Sequence, residues 1–229
     1  MLDAETTAVS ARLLRLPLLH RTYEVRVAGQ TTVTTTVTAH PDVARRWVYK
    51  TLWLHGPRLR SGAGLTVGMG VQWTPLFRRW GDDPRPGTLQ LCCGRRCLVF
   101  QIAQAGAVPA VLRRFLEDTR LVFVGYNIRA DCCKLWDHHR LMVARPQELR
   151  VVTGMGNSSM ERMAEQILGW RGVKKTKRVG TSRWDGRTLS KKQMMYACVD
   201  ACISHRIGVR LDVKPYIYVD TDSDYGSDA

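Results

Sequence analysis

Residues 22–27 and 31–38 alternate apolar and polar positions and are rich in Val and Thr, with Ala28-Gly29-Gln30 between them. A period of two with a Gly-containing break predicts a β-hairpin. From Pro41 the period lengthens: Val43, Ala44, Trp47, Val48 and Leu52 fall on one helical face, which closes near Gly56-Pro57. Leu65–Trp73 is the next predicted strand. Leu89–Cys93 and Cys97–Ile102 form a second hairpin across Gly94-Arg95-Arg96. A helix over 109–117 leads into Leu121–Tyr126, an almost wholly apolar run of the kind a strand buried on both faces shows. Helical patterns come next over 127–139, 158–168 and 190–210. Strands first and interleaved helices later predict an α/β domain around one mixed sheet.

The organisation expected is a flexible lead-in over 1–19, one domain over 20–211, and an acidic tail over 212–229 that is too polar to pack. The chain of 229 residues lacks the run of about 20 apolar residues that a membrane span needs. Its Leu13–Leu19 stretch, broken by Arg15 and Pro17, suits no leader. We expect a soluble protein of the nucleus or cytoplasm with no membrane partner. Seven cysteines, an odd number with two vicinal pairs, agree with an intracellular setting. Cys92 and Cys93 point to opposite faces of a strand and cannot share an ion. Cys198 and Cys202 are one helical turn apart, but no second pair has ligand spacing, so buried thiols are expected rather than zinc.

Charge narrows the partners. Lys and Arg number 35 against 20 acids, a net +15. Residues 213–229 hold four aspartates and one lysine, −3, which leaves 34 bases and 16 acids, +18, in the first 212 residues. A basic body of this kind calls for a polyanion. The densest cluster, Lys174, Lys175, Lys177, Arg178 and Arg183, is the candidate phosphate-contacting set. Trp170, Trp184 and Tyr196 are candidate stacking faces for bases, against the alternative that the tryptophans pack the core. The acidic tail is either solubilising or an internal competitor for the basic surface. A homo-oligomer or a protein partner is a further expectation, but the +18 body makes a scaffold with no nucleic-acid role the weakest reading.

Two segments carry candidate chemistry. Val124-Gly125-Tyr126-Asn127-Ile128-Arg129-Ala130-Asp131 takes a buried strand into a helix and sets Asp131 in its first turn. Leu189 to Ala201 is helical, and Tyr196 and Asp200, four residues apart, share a face. Taken alone, an early helical Asp serves the macrodipole and a Tyr–Asp pair marks a core edge. His138 and His139, at the far end of the helix that holds Asp131, are explained by the same dipole.

Together these segments resemble the plant branch of the Werner-syndrome-type 3′–5′ exonucleases, within the DnaQ-like (DEDDy) superfamily. The resemblance covers about residues 20–211. It rests on Phe123-Val124-Gly125 through Asp131-Cys132-Cys133-Lys134-Leu135, on Ser182-Arg183-Trp184, and on Leu189-Ser190 with Tyr196-Ala197-Cys198-Val199-Asp200-Ala201. It implies a ribonuclease H-like fold, a mixed sheet flanked by helices with an N-terminal hairpin added. It also implies hydrolysis at the 3′ end of single-stranded RNA or DNA by two Mg²⁺ or Mn²⁺ ions held on carboxylates. Asp131 and Asp200 would be metal ligands and Tyr196 would orient the attacking water. The first motif departs from the pattern. Its Asp-x-Glu positions hold Gly70 and Gln72, one with no ligand and one with a neutral amide. The replacement argues against efficient metal-dependent hydrolysis and leaves, as the alternative, a nuclease-derived binding or adaptor module. Asp82 and Asp83 lie near in sequence, but in a Pro/Gly-rich loop with no geometry to support a rescue.

Overall fold

The computed structural model describes residues 8–15, 18–75 and 83–214. Eight strands form one sheet: β1 (Val9–Arg15), β2 (Arg21–Val27), β3 (Thr31–Thr38), β4 (Leu65–Trp73), β5 (Pro86–Cys93), β6 (Arg96–Phe100), β7 (Leu121–Gly125) and β8 (Pro146–Glu148). Their order across the sheet is β1-β2-β3-β6-β5-β4-β7-β8. β3 runs parallel to β6, and β4, β7 and β8 are mutually parallel, while the hairpins are antiparallel, so the sheet is mixed as expected.

The helices are α1 (Pro41–Leu54), α2 (Gly56–Arg60), α3 (Ala110–Glu117), α4 (Ile128–His139), α5 (Leu149–Val152), α6 (Met160–Leu168), α7 (Lys177–Gly180) and α8 (Lys191–Arg210). Two hydrophobic clusters, one on each face of the sheet, make three layers. α1, α3 and α4 cover one face through Trp47, Phe115, Leu116 and Leu135. α6 and α8 cover the other through Met163, Ala197, Cys198, Ile203 and Ile207. Cys92 belongs to the α8 side and Cys93 to the α1 side, as strand alternation requires. No helix among the described residues is long and apolar enough to cross a membrane.

The first hairpin turns at Ala28 and Gly29, both with positive φ (53° and 65°), in a turn closed by Gln30 N donating to Val27 O at 3.2 Å, and Val27 pairs with Thr31 across the three-residue connection. The lead-in is corrected in part. Residues 9–15, expected to be loose, form β1 and pair with β2 from Val9↔Val27 onward. Val9, Ala11 and Leu13 alternate with Ser10 and Arg12, and Val9 and Ala11 pack on the α8-side core, but Leu14 breaks the period and Leu13 and Leu14 are exposed. The tail beyond residue 214 lies outside the described residues.

α8 is the element on which the site depends. Ser190 opens it with a capping box: its Oγ accepts from Gln193 N at 3.2 Å, and Gln193 Oε1 accepts from Ser190 N at 2.9 Å. The Gln193 amide also donates to Arg183 O at 2.6 Å and so ties the preceding segment to the helix start. The helix then crosses β4 at backbone contact. A Cβ on Gly68 would stand 1.9 Å from Ala201 O, so only glycine admits this approach.

Candidate functional site

The site is built where β4, α4 and α8 converge. Along β4, Val67, Met69 and Val71 enter the α1-side core. Alternation turns Gly68, Gly70 and Gln72 toward α8, and their contacts there agree with it. A Cβ on Gly70 would lie 3.9 Å from Asp200 Oδ2 and 3.1 Å from Gln90 Oε1. Gln72 Nε2 donates to Asp200 Oδ2 at 2.9 Å. Positions 70 and 72 therefore share a face, and that face looks at Asp200.

Asp131 reaches the same strand from the first turn of α4, and its Oδ2 accepts from Val71 N at 3.1 Å. The helix start is capped from a distance. Asn127 has φ 62° and no side-chain cap of its own, and the Glu148 carboxylate accepts from Asn127 N and Ile128 N, both at 3.0 Å. Asp131 and Asp200 are 4% and 8% exposed. Burial, and after it the Asp200 charge, pushes the Asp131 carboxyl well above the usual carboxylate range.

Lys175 completes the cluster. Its Nζ donates to Asp200 Oδ1 at 2.5 Å and stands 4.6 Å from the centre of the Tyr196 ring. Burial is the largest influence and opposes the lysine's charge, but Asp200, Tyr196 and Glu161 together outweigh it and raise the Lys175 pKa. Tyr196 is half-buried, one turn before Asp200, with its ring 5.8 Å from Trp184. Its hydroxyl packs on α7: a Cβ on Gly180 would lie 2.7 Å from it.

Four of the five predicted phosphate contacts surround one cavity of about 810 Å³ between β1, the 172–183 segment and the start of α8. Lys174, Lys175, Arg178 and Arg183 line it, and so do Lys192 and Tyr196. Lys177 is exposed but is not among the lining residues. Trp170 and Trp184, 5% and 0% exposed, pack the core and offer no face to a base. Asp83 is tied to Lys134 and to His138, the latter at 2.8 Å, and Asp82 lies outside the described residues. The cysteine expectation gains a detail. Cys97 is the cross-strand partner of Cys92 and packs with Cys198 and Cys202 in the α8-side core. Contact with a neighbouring thiol, and after it burial, holds the Cys97 and Cys202 thiols up, and at Cys92 an opposing contact with Cys202 is overcome by the Cys97 contact and burial. Among the described residues no group of three or more His, Cys, Asp or Glu side chains can hold a metal ion.

The residues present do not fit a pair of divalent ions. Mg²⁺ and Mn²⁺ take oxygen ligands, whereas three of the four carboxylate oxygens here accept from N–H groups of Val71, Gln72 and Lys175. A unit charge pair at ~4 Å is worth roughly 4 kcal/mol at an effective dielectric of ~20. A divalent ion beside the Lys175 ammonium would therefore meet about twice that, as repulsion. Three participants escaped sequence reasoning: the remote cap Glu148, the buried Gln90, and the pairing of Lys175 with Asp200. None has a local signal, because each is made by a contact distant in sequence.

Comparison with known proteins gives the family and the fold. The sequence profile of the 3′–5′ exonucleases matches residues 78–214, more than half the chain, and begins beyond β4. A 3′–5′ exonuclease of Arabidopsis thaliana is 28% identical over 151 residues, 63% of this chain and 52% of that protein. The mouse bifunctional 3′–5′ exonuclease/ATP-dependent helicase WRN is 26% identical over 152 residues, 62% of this chain and 10% of that one. Among solved structures, Escherichia coli RNase D, an exoribonuclease involved in structured RNA processing, superposes with a TM-score of 0.58 at 15% identity, covering 77% of this chain and 44% of the other. Brucella melitensis NrnC gives 0.55 at 18% identity over 65% and 72% of the two chains. The fold is thus the mixed α/β, ribonuclease H-like one. The chain spans about half the length of the first curated relatives it matches, 52% and 57%.

Proposed function

We propose that this chain, which belongs to the 3′–5′ exonuclease family, holds the 3′ end of a single-stranded RNA or DNA without hydrolysing it. The observation that carries the reading is on β4. At the two positions that face Asp200 stand a glycine and a glutamine, and the glutamine's amide gives Asp200 a hydrogen bond instead of giving an ion an oxygen ligand.

In the reading proposed, the chain's residues bind and orient. Lys174, Arg178, Arg183 and Lys192 line the cavity with positive charge and receive the phosphates of the strand. Asp131 and Asp200, the family's ligand positions, are turned inward and satisfied by this chain's own donors. Tyr196, between the cavity and Asp200, offers a half-buried ring to the terminal nucleotide.

A 3′-labelled oligonucleotide tests both halves. Binding measured by fluorescence anisotropy is expected to weaken steeply with salt, with a log–log slope of about −0.7 per neutralised phosphate. The label is expected to survive incubation with Mg²⁺ or Mn²⁺. Metal-dependent loss of the label that Asp200→Ala abolishes overturns the proposal.

A further inference from the structure

We infer that the Lys175 ammonium is a tethered cation that takes the place the family gives to a divalent ion, and that a phosphate oxygen entering the cavity meets it directly. The inference deepens the reading above and rests on it.

Lys175 is held at its backbone and at its ammonium. Its backbone N donates to Glu161 Oε1 at 3.2 Å, its ammonium lies 3.9 Å from Met160 Sδ, and it sits over the Tyr196 ring at 4.6 Å. The side chains of Lys175 and Asp200 are 13% and 11% exposed, so this pair differs from the solvent-screened ion pairs of a surface. An ammonium carries three N–H donors. Asp200 takes one, and the other two face the Met160 thioether and the Tyr196 side chain, weak partners that an oxygen entering the cavity Lys175 lines can displace. Opposite, Gln72 closes the other oxygen of Asp200. The space a first-motif side chain would fill at position 70 holds only hydrogen, bordered by Gln90 Oε1, a buried acceptor with no partner among the described residues. Phosphate recognition by one fixed ammonium, with no ion between, is the chemistry this arrangement offers.

The probe is Mn²⁺ alone, monitored by electron paramagnetic resonance, beside the affinity of a 3′-ended oligonucleotide in EDTA. The wild-type protein is expected to show no saturable Mn²⁺ binding at millimolar concentrations and the same oligonucleotide affinity in EDTA as in Mn²⁺. Lys175→Met, which keeps the length and removes the charge, is expected to lose about tenfold in affinity, the effect of one charge-assisted contact, and to gain Mn²⁺ binding. Lys175→Arg is expected to retain most of the affinity and none of the Mn²⁺ binding. Saturable Mn²⁺ binding by the wild type that Asp200→Asn removes overturns the inference, a result that stands even where Lys175→Met does not fold. A folded Lys175→Met with unchanged oligonucleotide affinity overturns it as well. Mn²⁺ binding without loss of the 3′ label defeats only the tethered cation, whereas loss of the label defeats the non-cleaving reading itself.

Discussion

Gly70→Asp combined with Gln72→Glu returns two carboxylates to the face of β4 that looks at Asp200, and the surroundings of that face set the cost. The new Cβ at 70 would stand 3.1 Å from Gln90 Oε1, which has to yield by a few tenths of an ångström, and 3.9 Å from Asp200 Oδ2. Two like charges about 4 Å apart repel by roughly 4 kcal/mol at an effective dielectric of ~20. Gln72→Glu also deletes the amide's hydrogen bond to Asp200, a contact to a charged group worth roughly 1.5–3 kcal/mol. Lys175 screens part of the repulsion. The variant without metal should still lose about 4 kcal/mol, a large share of the 5–15 kcal/mol typical of a whole domain.

The same carboxylates give an ion what the wild type withholds. An ion that binds only the folded state adds about 2.7 kcal/mol at a hundredfold excess over its dissociation constant. Urea melts in EDTA and across a Mn²⁺ series measure both effects. The wild-type midpoint is expected to be indifferent to Mn²⁺. The variant's midpoint falls in EDTA and climbs with Mn²⁺, more so when Lys175→Met is added. A variant as stable as the wild type in EDTA would mean that position 70 does not face Asp200, and the placement of the site on β4 would be wrong.

Three further outcomes are expected. His205 is buried, its Nε2 accepts from Gly94 N at 2.9 Å, and burial lowers its pKa from 6.5 to about 4. The unfolded chain therefore takes up a proton that the folded one refuses. Stability is full above pH ~6.5 and falls toward pH ~4, by about 2–3 kcal/mol. Urea midpoints should fall with pH in the wild type and far less in His205→Gln, and equal falls in both would refute the assignment. Gly68→Ala places a Cβ 1.9 Å from Ala201 O and 2.5 Å from His205 N. α8 must move, so a loss of about 3 kcal/mol or more is expected in denaturant melts, and an unchanged midpoint contradicts the packing described. Replacing Arg178 and Arg183 together by Ala should flatten the salt dependence of oligonucleotide binding by about 1.4 in log–log slope, and an unaltered slope would place the strand elsewhere.

The hairpins and long helices were legible because each has a local physical signature. Examples are the Ala28-Gly29 turn with both φ values positive and the Ser190–Gln193 capping box that opens α8. β1 was missed because its alternation runs only from Val9 to Leu13, places only Val9 and the small Ala11 on the core, and is broken by Leu14. β8, α5 and α7, three or four residues each, are too short to show a period. At the site, spacing put Tyr196 and Asp200 on one helix and Asp131 on another, and the family resemblance brought them together. The departure at Gly70 and Gln72 was readable only once the resemblance supplied the Asp-x-Glu pattern. The pairing of Lys175 with Asp200 was not, because Lys175 reads in sequence as one more member of a basic run.

That last contact separates a rebuilt site from a broken one. Deleting two acids from a metal centre, with nothing else changed, strands the remaining acids as buried charges, and an uncompensated buried charge costs about 3–5 kcal/mol. Here neither is stranded. Asp200 has an ammonium on one oxygen and an amide on the other, and Asp131 has a backbone N–H on Oδ2 and a carboxyl that burial drives toward neutrality. Compensation from this chain for both survivors is expected of a site whose stability no longer depends on ions. It predicts that Asp200→Asn, by leaving the Lys175 ammonium buried without its counter-charge, destabilises the protein equally in EDTA and in Mn²⁺. In a metal-dependent site the same change is harmful mainly when the ion is present to be lost.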